Sequence, residues 1–363
     1  MSNWNQRFTD LIRESRPYLW GNWALNQQIR VGAIGFVDSR TGAFKYIGQL
    51  TDARVIDKAS DRRWKLSSIG VSRQNGELSA SASVIDPGTG LMAKPESTVT
   101  WKFDREDSLV SEFNVVAESH LEELTVLKDE FDTLYKLAAK ASYGHAGGIA
   151  QGFGVVTSVI HAASGVNAAS AKKGAEFTLA GSVDGLNALL GDQGPAGKAS
   201  IKSTRVASAD SIDHQLWPAA KDSLNVNAAN APIAFGFSSF DGQLLLPVWT
   251  GLISNLQIVI DSKARSFTTY TVKFQLSYES SNGQTTEQGT IIGGSSHSIS
   301  NLPLDATNIQ LTLNFIGVLN DVSHQKRWSS PLTQWRNGIK RIDITGTWPG
   351  ETQVIDLDEN PPR

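Results

Sequence analysis

Cysteine is absent from the 363 residues. That excludes disulfides, thiol catalysis and zinc–thiolate sites. It assigns no compartment, since secreted and cytosolic chains both do without it. Long apolar runs are missing too: nothing approaches the roughly 18 residues of a transmembrane helix. The opening stretch, Met1 to Pro17, is polar and charged. It shows no apolar core before a small-residue cleavage site, so no secretory signal is visible. Net charge is only −3. This argues against a nucleic-acid binder, whose affinity rests on many Lys and Arg contacts to phosphate.

Motifs of catalysis are equally scarce. The six histidines are His120, His145, His161, His214, His297 and His324, and none lies three or four residues from another. No local metal pair is therefore expected. Gly191 to Ala199 resembles a phosphate loop but has five residues between Gly191 and Gly197, and Ala199 stands where a hydroxyl must hold magnesium. No Gly-x-Ser-x-Gly elbow occurs. The expectation is a protein without catalytic residues, cofactor or metal. An enzyme with a site assembled from distant positions is the third reading.

What the chain has is strand-forming sequence. Ala175, Phe177, Leu179, Gly181 and Val183 fall on one face of an alternating run, with Glu176, Thr178, Ala180 and Ser182 on the other. Its length is about the 9–11 residues of a tilted membrane strand. A looser alternation precedes it, with Val156, Ile160, Ala162, Val166 and Ala168 on one face. Lys172 and Lys173 lie between the two arms in a small basic turn. The pattern predicts a hairpin over 152–207 with those lysines at its tip. It fits a membrane-inserting hairpin, and it equally fits an ordinary half-buried one.

Around this stretch, Trp4, Phe8, Leu11 and Ile12 predict a short helix ended by Pro17. Val31–Val37 and Ala43–Ile47 predict a hairpin about a Gly-containing loop. A meander follows. Leu78, Ala80 and Ala82 alternate with serines; Val99, Trp101 and Phe103 alternate with polar residues; odd positions carry the apolar weight from Leu109 to Ala117. From Leu121 to Lys140 the period changes to three and four, predicting one long acidic helix, with Ser119 and Glu122 at capping-box spacing. After 233 come short alternating runs and the turn signal Asn282-Gly283, predicting an antiparallel β-sandwich. Trp328, Trp335 and Trp348 lie late in it, beside polar residues. They are candidates for contact with a sugar or a lipid headgroup, and also for core positions.

The order of meander, amphipathic helix and small-residue hairpin resembles the β-barrel pore-forming proteins. It is most similar to the pore-forming domain of gasdermins over about residues 65–207, with Phe153-Gly-Val-Val-Thr-Ser-Val159 before the second hairpin. The resemblance implies a soluble protein that oligomerises on a lipid membrane and inserts two hairpins, one drawn from residues 65–117 with Leu78, Ala80, Ala82, Val99, Trp101 and Phe103 on its membrane face, the other from 152–207. The C-terminal block departs from it, because gasdermins carry a helical domain there. The expected layout is an α+β pore-forming domain at 1–215, in which helices pack on a twisted antiparallel sheet. A linker at 216–232, an all-β sandwich at 233–350 for targeting or binding, and a loose tail at 351–363 complete it. The expected setting is a secreted or released protein that is membrane-associated when active, a cytolysin or cell-death effector without nucleic-acid partners. The alternative is a non-enzymatic, lectin-like or structural β protein whose hairpins never move.

Overall fold

Asn3 caps the first helix, α1 (Trp4–Arg13), its side-chain oxygen accepting from the Gln6 amide. Phe8 and Ile12 point from α1 into a core shared with the sheet beneath. β1 (Leu19–Gly21), β2 (Ala33–Val37) and β3 (Phe44–Gln49) follow. β2 and β3 pair as the expected hairpin, and the Asp38 carboxylate accepts from the Arg40 and Thr41 amides in its loop. Next come β4 (Val55–Ser67), β5 (Val71–Glu77), the two-residue pair β6 (Val84–Ile85) and β7 (Met92–Ala93), β8 (Ser97–Phe103) and β9 (Ser108–Leu121). The helices α2 (Val126–Asp129) and α3 (Phe131–Lys140) lead to the small ladder β10 (Gly144–His145) and β11 (Gly148–Ile149). Then come β12 (Phe153–Ser170), β13 (Ala175–Gly181), α4 (Val183–Leu190), β14 (Arg205–Ser208), β15 (Ile212–Trp217), β16 (Ala231–Asp241) and β17 (Leu244–Leu246). The computed structural model describes residues 3–51, 53–77, 84–85, 92–93, 97–181, 183–190, 205–208, 211–218, 230–266, 270–316, 322–335 and 338–357.

The chain divides after Leu245 into two units. The first is built on β12, eighteen residues without an acidic or basic side chain except His161. β12 pairs with β2, β9, β15 and β16, and nearly every one of its residues is buried. Gly165, at φ +150, marks the point where the ladder partner changes from β16 to β15. A Cβ there would lie 2.4 Å from the Glu112 carbonyl and 2.3 Å from the Phe113 ring.

Three expectations are corrected here. The long helix from Leu121 is absent, because β9 runs to Leu121 with ladder partners on both sides. Ser119 donates to the Asp57 carboxylate instead of capping a helix, and Glu130 separates α2 from α3. The sandwich does not start at 233, because β16 is a strand of the first unit's sheet, as is β15, which includes two residues of the expected linker. Finally, residues 352–356 form a strand rather than a loose tail.

The second unit holds β18 (Leu256–Ser262), β19 (Arg265–Ser266), β20 (Thr271–Ser280), β21 (Gly283–Ile292), β22 (Ser296–Leu302), β23 (Thr307–Ile316), β24 (Val322–Trp328), α5 (Pro331–Gln334), β25 (Ile339–Trp348) and β26 (Thr352–Asp356). One sheet runs β19-β25-β18-β22 with β26 on β25; the other runs β21-β20-β23-β24. Strict in–out alternation along β18, β20 and β23 places Ile258, Leu276 and Leu313 between the sheets. The β20–β21 hairpin turns beside the expected signal, through Ser281-Asn282, with Gly283 (φ +96) opening β21 opposite Ser280. The sandwich is not purely antiparallel: β18 and β25 run parallel. The chain as a whole is mostly β, and no described helix exceeds ten residues. Among the described residues no helix is long and apolar enough to cross a membrane, which leaves strands unaddressed.

Candidate functional site

Within the first unit, β4, β9, β12 and β15 lie side by side in that order. A second sheet repeats the order with β5, β8, β13 and β14. Each strand of one sheet continues into its counterpart in the other, through 68–70, 104–107, 171–174 and 209–211. Every pairing is antiparallel in both sheets. The arrangement is one four-stranded ribbon folded double along a crease.

The crease has a backbone signature. Gly70 (φ +89), Asp107 (φ +55) and Gly174 (φ +78) put a left-handed residue in each of the three fully described crossings, 68–70, 104–107 and 171–174. Glycine takes that conformation freely and aspartate is among the few others that tolerate it. Arg7 of α1 grips Asp107 twice, 2.8 Å to the carboxylate and 3.3 Å to the carbonyl. Ser68 closes the first crossing, its hydroxyl accepting from the Leu109 amide at 2.9 Å.

Between the layers lies a core. Val99, Trp101, Phe103, Phe177 and Leu179 enter it from the second sheet, Val110, Val166 and Ala168 from the first, and Leu186, Leu189 and Leu190 from α4. Trp101 and Phe177 lie 5.6 Å apart. His214 of β15 stands 5.2 Å from Phe177, and loss of hydration lowers its pKa against the opposing pull of Asp213. One carboxylate is trapped there. Glu112 is 2 % exposed, accepting from the Trp101 indole at 2.9 Å and the Arg73 guanidinium at 2.8 Å. The outer face of the second sheet is polar, with Thr100 bonded to Thr178 and Lys102 paired with Glu176.

The two inner strands keep step across the crease. Four residues on each side, 104–107 and 171–174, separate the pair Phe103–Ala175 from the pair Ser108–Ser170.

The sequence-predicted residues divide accordingly. Val99, Trp101, Phe103, Ala175, Phe177 and Leu179 come together in the second sheet, β8 beside β13. Val156, Ile160, Ala162 and Val166 belong to the other sheet, and of these only Val166 meets them across the shared core. All four sit on β12, buried in the middle of the large sheet, and β12 and β13 are not hairpin partners. Lys172 and Lys173 are exposed as expected of a tip, but lie in the crease. Val183 opens α4 instead of extending the strand. Leu78, Ala80, Ala82 and the Gly191–Ala199 loop fall outside the described residues. Trp328, Trp335 and Trp348 are buried, which corrects their assignment to ligand or membrane contact. Trp328 donates to Asp356 and meets Trp335 edge-on; Trp348 packs on Tyr270 and Phe315. Among the described residues, no three metal-ligating side chains gather.

Arg7, Arg73, Asp107 and Glu112 were not singled out by the sequence. The signal for Glu112 lay in the alternation: it is the one charged residue in the run Leu109–Val115, on the face opposite Leu109, Phe113 and Val115.

No family model and no curated protein matches the chain. Three matched solved structures are toxins. Wild-type pneumolysin aligns over 93% of this chain and 86% of its own at 10% identity, with a TM-score of 0.25. The human-specific toxin intermedilysin aligns over 71% and 59% at 9% identity, TM-score 0.20. A structure titled "Trapped Toxin" aligns over 82% and 68% at 11% identity, TM-score 0.21. Overlaps this small leave the fold unassigned by likeness, and the gasdermin resemblance gains nothing from them.

Proposed function

We propose that this is a membrane pore-forming protein that stores its membrane-crossing strands as the folded-back half of a four-stranded ribbon. The observation that carries the reading is the same strand order in two stacked sheets joined by four short crossings. Opening the crease lengthens four strands without exchanging any neighbour. The arms are 71–103 and 175–208, which, Ser208 excepted, fall within the expected hairpin segments 65–117 and 152–207 and leave β12 out. Each holds more than thirty residues, enough for two crossings of about 9–11 residues and a tip.

Straightened, the 97–115 strand is two-faced. Val99, Trp101, Phe103, Leu109, Phe113 and Val115 share one side, interrupted by Arg105 and Asp107 at the crease and by Ser111, and Thr98, Thr100, Lys102, Val110, Glu112 and Asn114 share the other. That is the pattern of a barrel strand with one face on lipid and one on water. A ring of copies satisfies every strand edge in lipid. Four strands per copy is an even number, so β15 of one copy meets β4 of the next antiparallel and the ring closes without a parallel joint. The protein is released soluble and binds a lipid membrane when active. The C-terminal sandwich serves as a targeting or restraining module for a glycan or headgroup, without the three buried indoles.

The test is dye release from liposomes by a locked variant. Phe177→Cys with His214→Cys bridges the second sheet to the first, in a chain with no other cysteine. Leakage that is silent when oxidised and returns on reduction is expected. Equal leakage in both states removes this segment from the mechanism, and no leakage with any lipid or target extract removes the mechanism itself.

A further inference from the structure

We infer that Glu112 and Arg73 form an autoinhibitory latch, and that Glu112 is buried only because the crease turns the strand over. The inference rests on the pore-forming reading for its consequence, though not for its test.

Alternation carries the argument. In the folded-back state Val99, Trp101 and Phe103 of β8 face Val110, Val166 and Ala168 of the large sheet. Along one straight strand, 99, 101 and 103 belong with the odd positions, and 110 and 112 with the even ones. Leu109, Phe113 and Val115, the odd partners of Trp101, face the opposite core beside α1. The left-handed Asp107 lies in the crossing where the strand changes face. The same inversion holds for the neighbouring strand. Val166 and Ala168 are even and Phe177 and Leu179 odd, yet they share one core, with left-handed Gly174 between them.

A carboxylate on the polar face is thereby pressed into an apolar layer. It stays there because Arg73 of β5 and the Trp101 indole of β8 both come from the sheet that must leave. Arg73 also lies over the Trp101 ring, 5.9 Å from its centre. Both partners are lost on opening. In the straight strand Glu112 joins Thr100 and Lys102 on the watered face. An ion pair placed this way contributes little net stability but is costly to break from one side. It therefore resists small excursions of the second sheet and rewards complete release.

Hydrogen exchange in solution tests the latch without any membrane. Glu112→Gln should speed exchange of the amides in 97–103 and 175–181 by about tenfold or more, leaving the β12–β16 ladder at wild-type rates. The double variant Glu112→Leu with Arg73→Met removes both charges and should return 97–103 to wild-type protection or better. Unchanged exchange in Glu112→Gln overturns the inference. So does equal loosening of both ladders, or a double variant as loose as the single one. Should Glu112→Gln fail to fold, the double variant decides alone: protection at wild-type level supports the latch, and loss of protection confined to the second sheet refutes it. Leakage measured on the same samples separates the two ideas. A wild type that never leaks sinks pore formation and leaves the exchange result standing.

Discussion

Lys340→Met should unfold the second unit at a much lower temperature. Lys340 on β25 is 2 % exposed and its ammonium lies 2.6 Å from the Asp356 carboxylate on β26, itself 1 % exposed. The same carboxylate accepts from the Trp328 indole at 3.3 Å, and the ammonium lies 5.9 Å from the centre of that ring. Methionine keeps most of the stem's volume and removes the charge. Asp356 is then a buried anion with an indole for company. Breaking a buried pair from one side costs about 3–5 kcal/mol. For a unit of this size each kcal/mol is worth roughly 4 °C, so the transition should fall by roughly 12–20 °C. The double variant Lys340→Met with Asp356→Leu leaves no stranded charge. It should sit within about 1–2 kcal/mol of wild type, the residue being the Trp328 N–H that loses its acceptor. Scanning calorimetry reads both, with the first unit's transition as internal reference. A fall under about 4 °C for Lys340→Met, or a double variant as unstable as the single one, would refute the idea that this pair holds β26 to the sandwich.

Further outcomes follow from the same geometry. Gly165→Ala should destabilise the first unit by about 2–4 kcal/mol in urea, since the new Cβ meets the Glu112 carbonyl at 2.4 Å on a positive-φ backbone; a loss under 1 kcal/mol would show that β12 can shift there. Stability should drop as pH falls below about 6.5. His161 and His214 have pKa values lowered by burial, so the unfolded chain takes up protons first; a flat profile between pH 7.5 and 5.5, or one that His214→Gln leaves unchanged, contradicts this. Trp348→Ala should cost about 3–5 kcal/mol of stability, and any loss of glycan or liposome binding should track unfolding; selective loss of binding by a folded variant would restore the indole as a contact.

Much of the local structure was legible. Asn3 and the Trp4–Phe8–Ile12 spacing gave α1, and Asn282-Gly283 gave the β20–β21 turn. Alternation picked out the apolar faces of β8 and β13, though not that the two strands pair with each other. Longer-range features were hidden. The 3.6-residue pattern from Leu121 is real, but ladder bonds from β4 and β12 hold Ser119, His120 and Leu121 in a strand. The late tryptophans stand beside polar neighbours because alternate positions of a sandwich strand face opposite ways, so an Arg327 next door says nothing about where Trp328 points.

The crease shows why periodicity stops short of topology. A polar gap such as 104–107 looks the same whether the flanking strands become neighbours in one sheet or continue each other between two. Pairing decides, and pairing is non-local: β8 and β9 do not pair with each other, and neither do β12 and β13. Reading 171–174 as a hairpin tip therefore gave β13, which lies in the second sheet, a wrong partner arm, β12. That strand cannot be the mobile one. Its ladders to β9 and β16 hold it from both sides over 158–162, whereas β13 keeps its partners β8 and β14 when the crease opens. The segment free to move is the one whose neighbours move with it. Under the proposed opening that condition selects the second sheet, and the left-handed residues at Gly70, Asp107 and Gly174 mark where the crease would unfold.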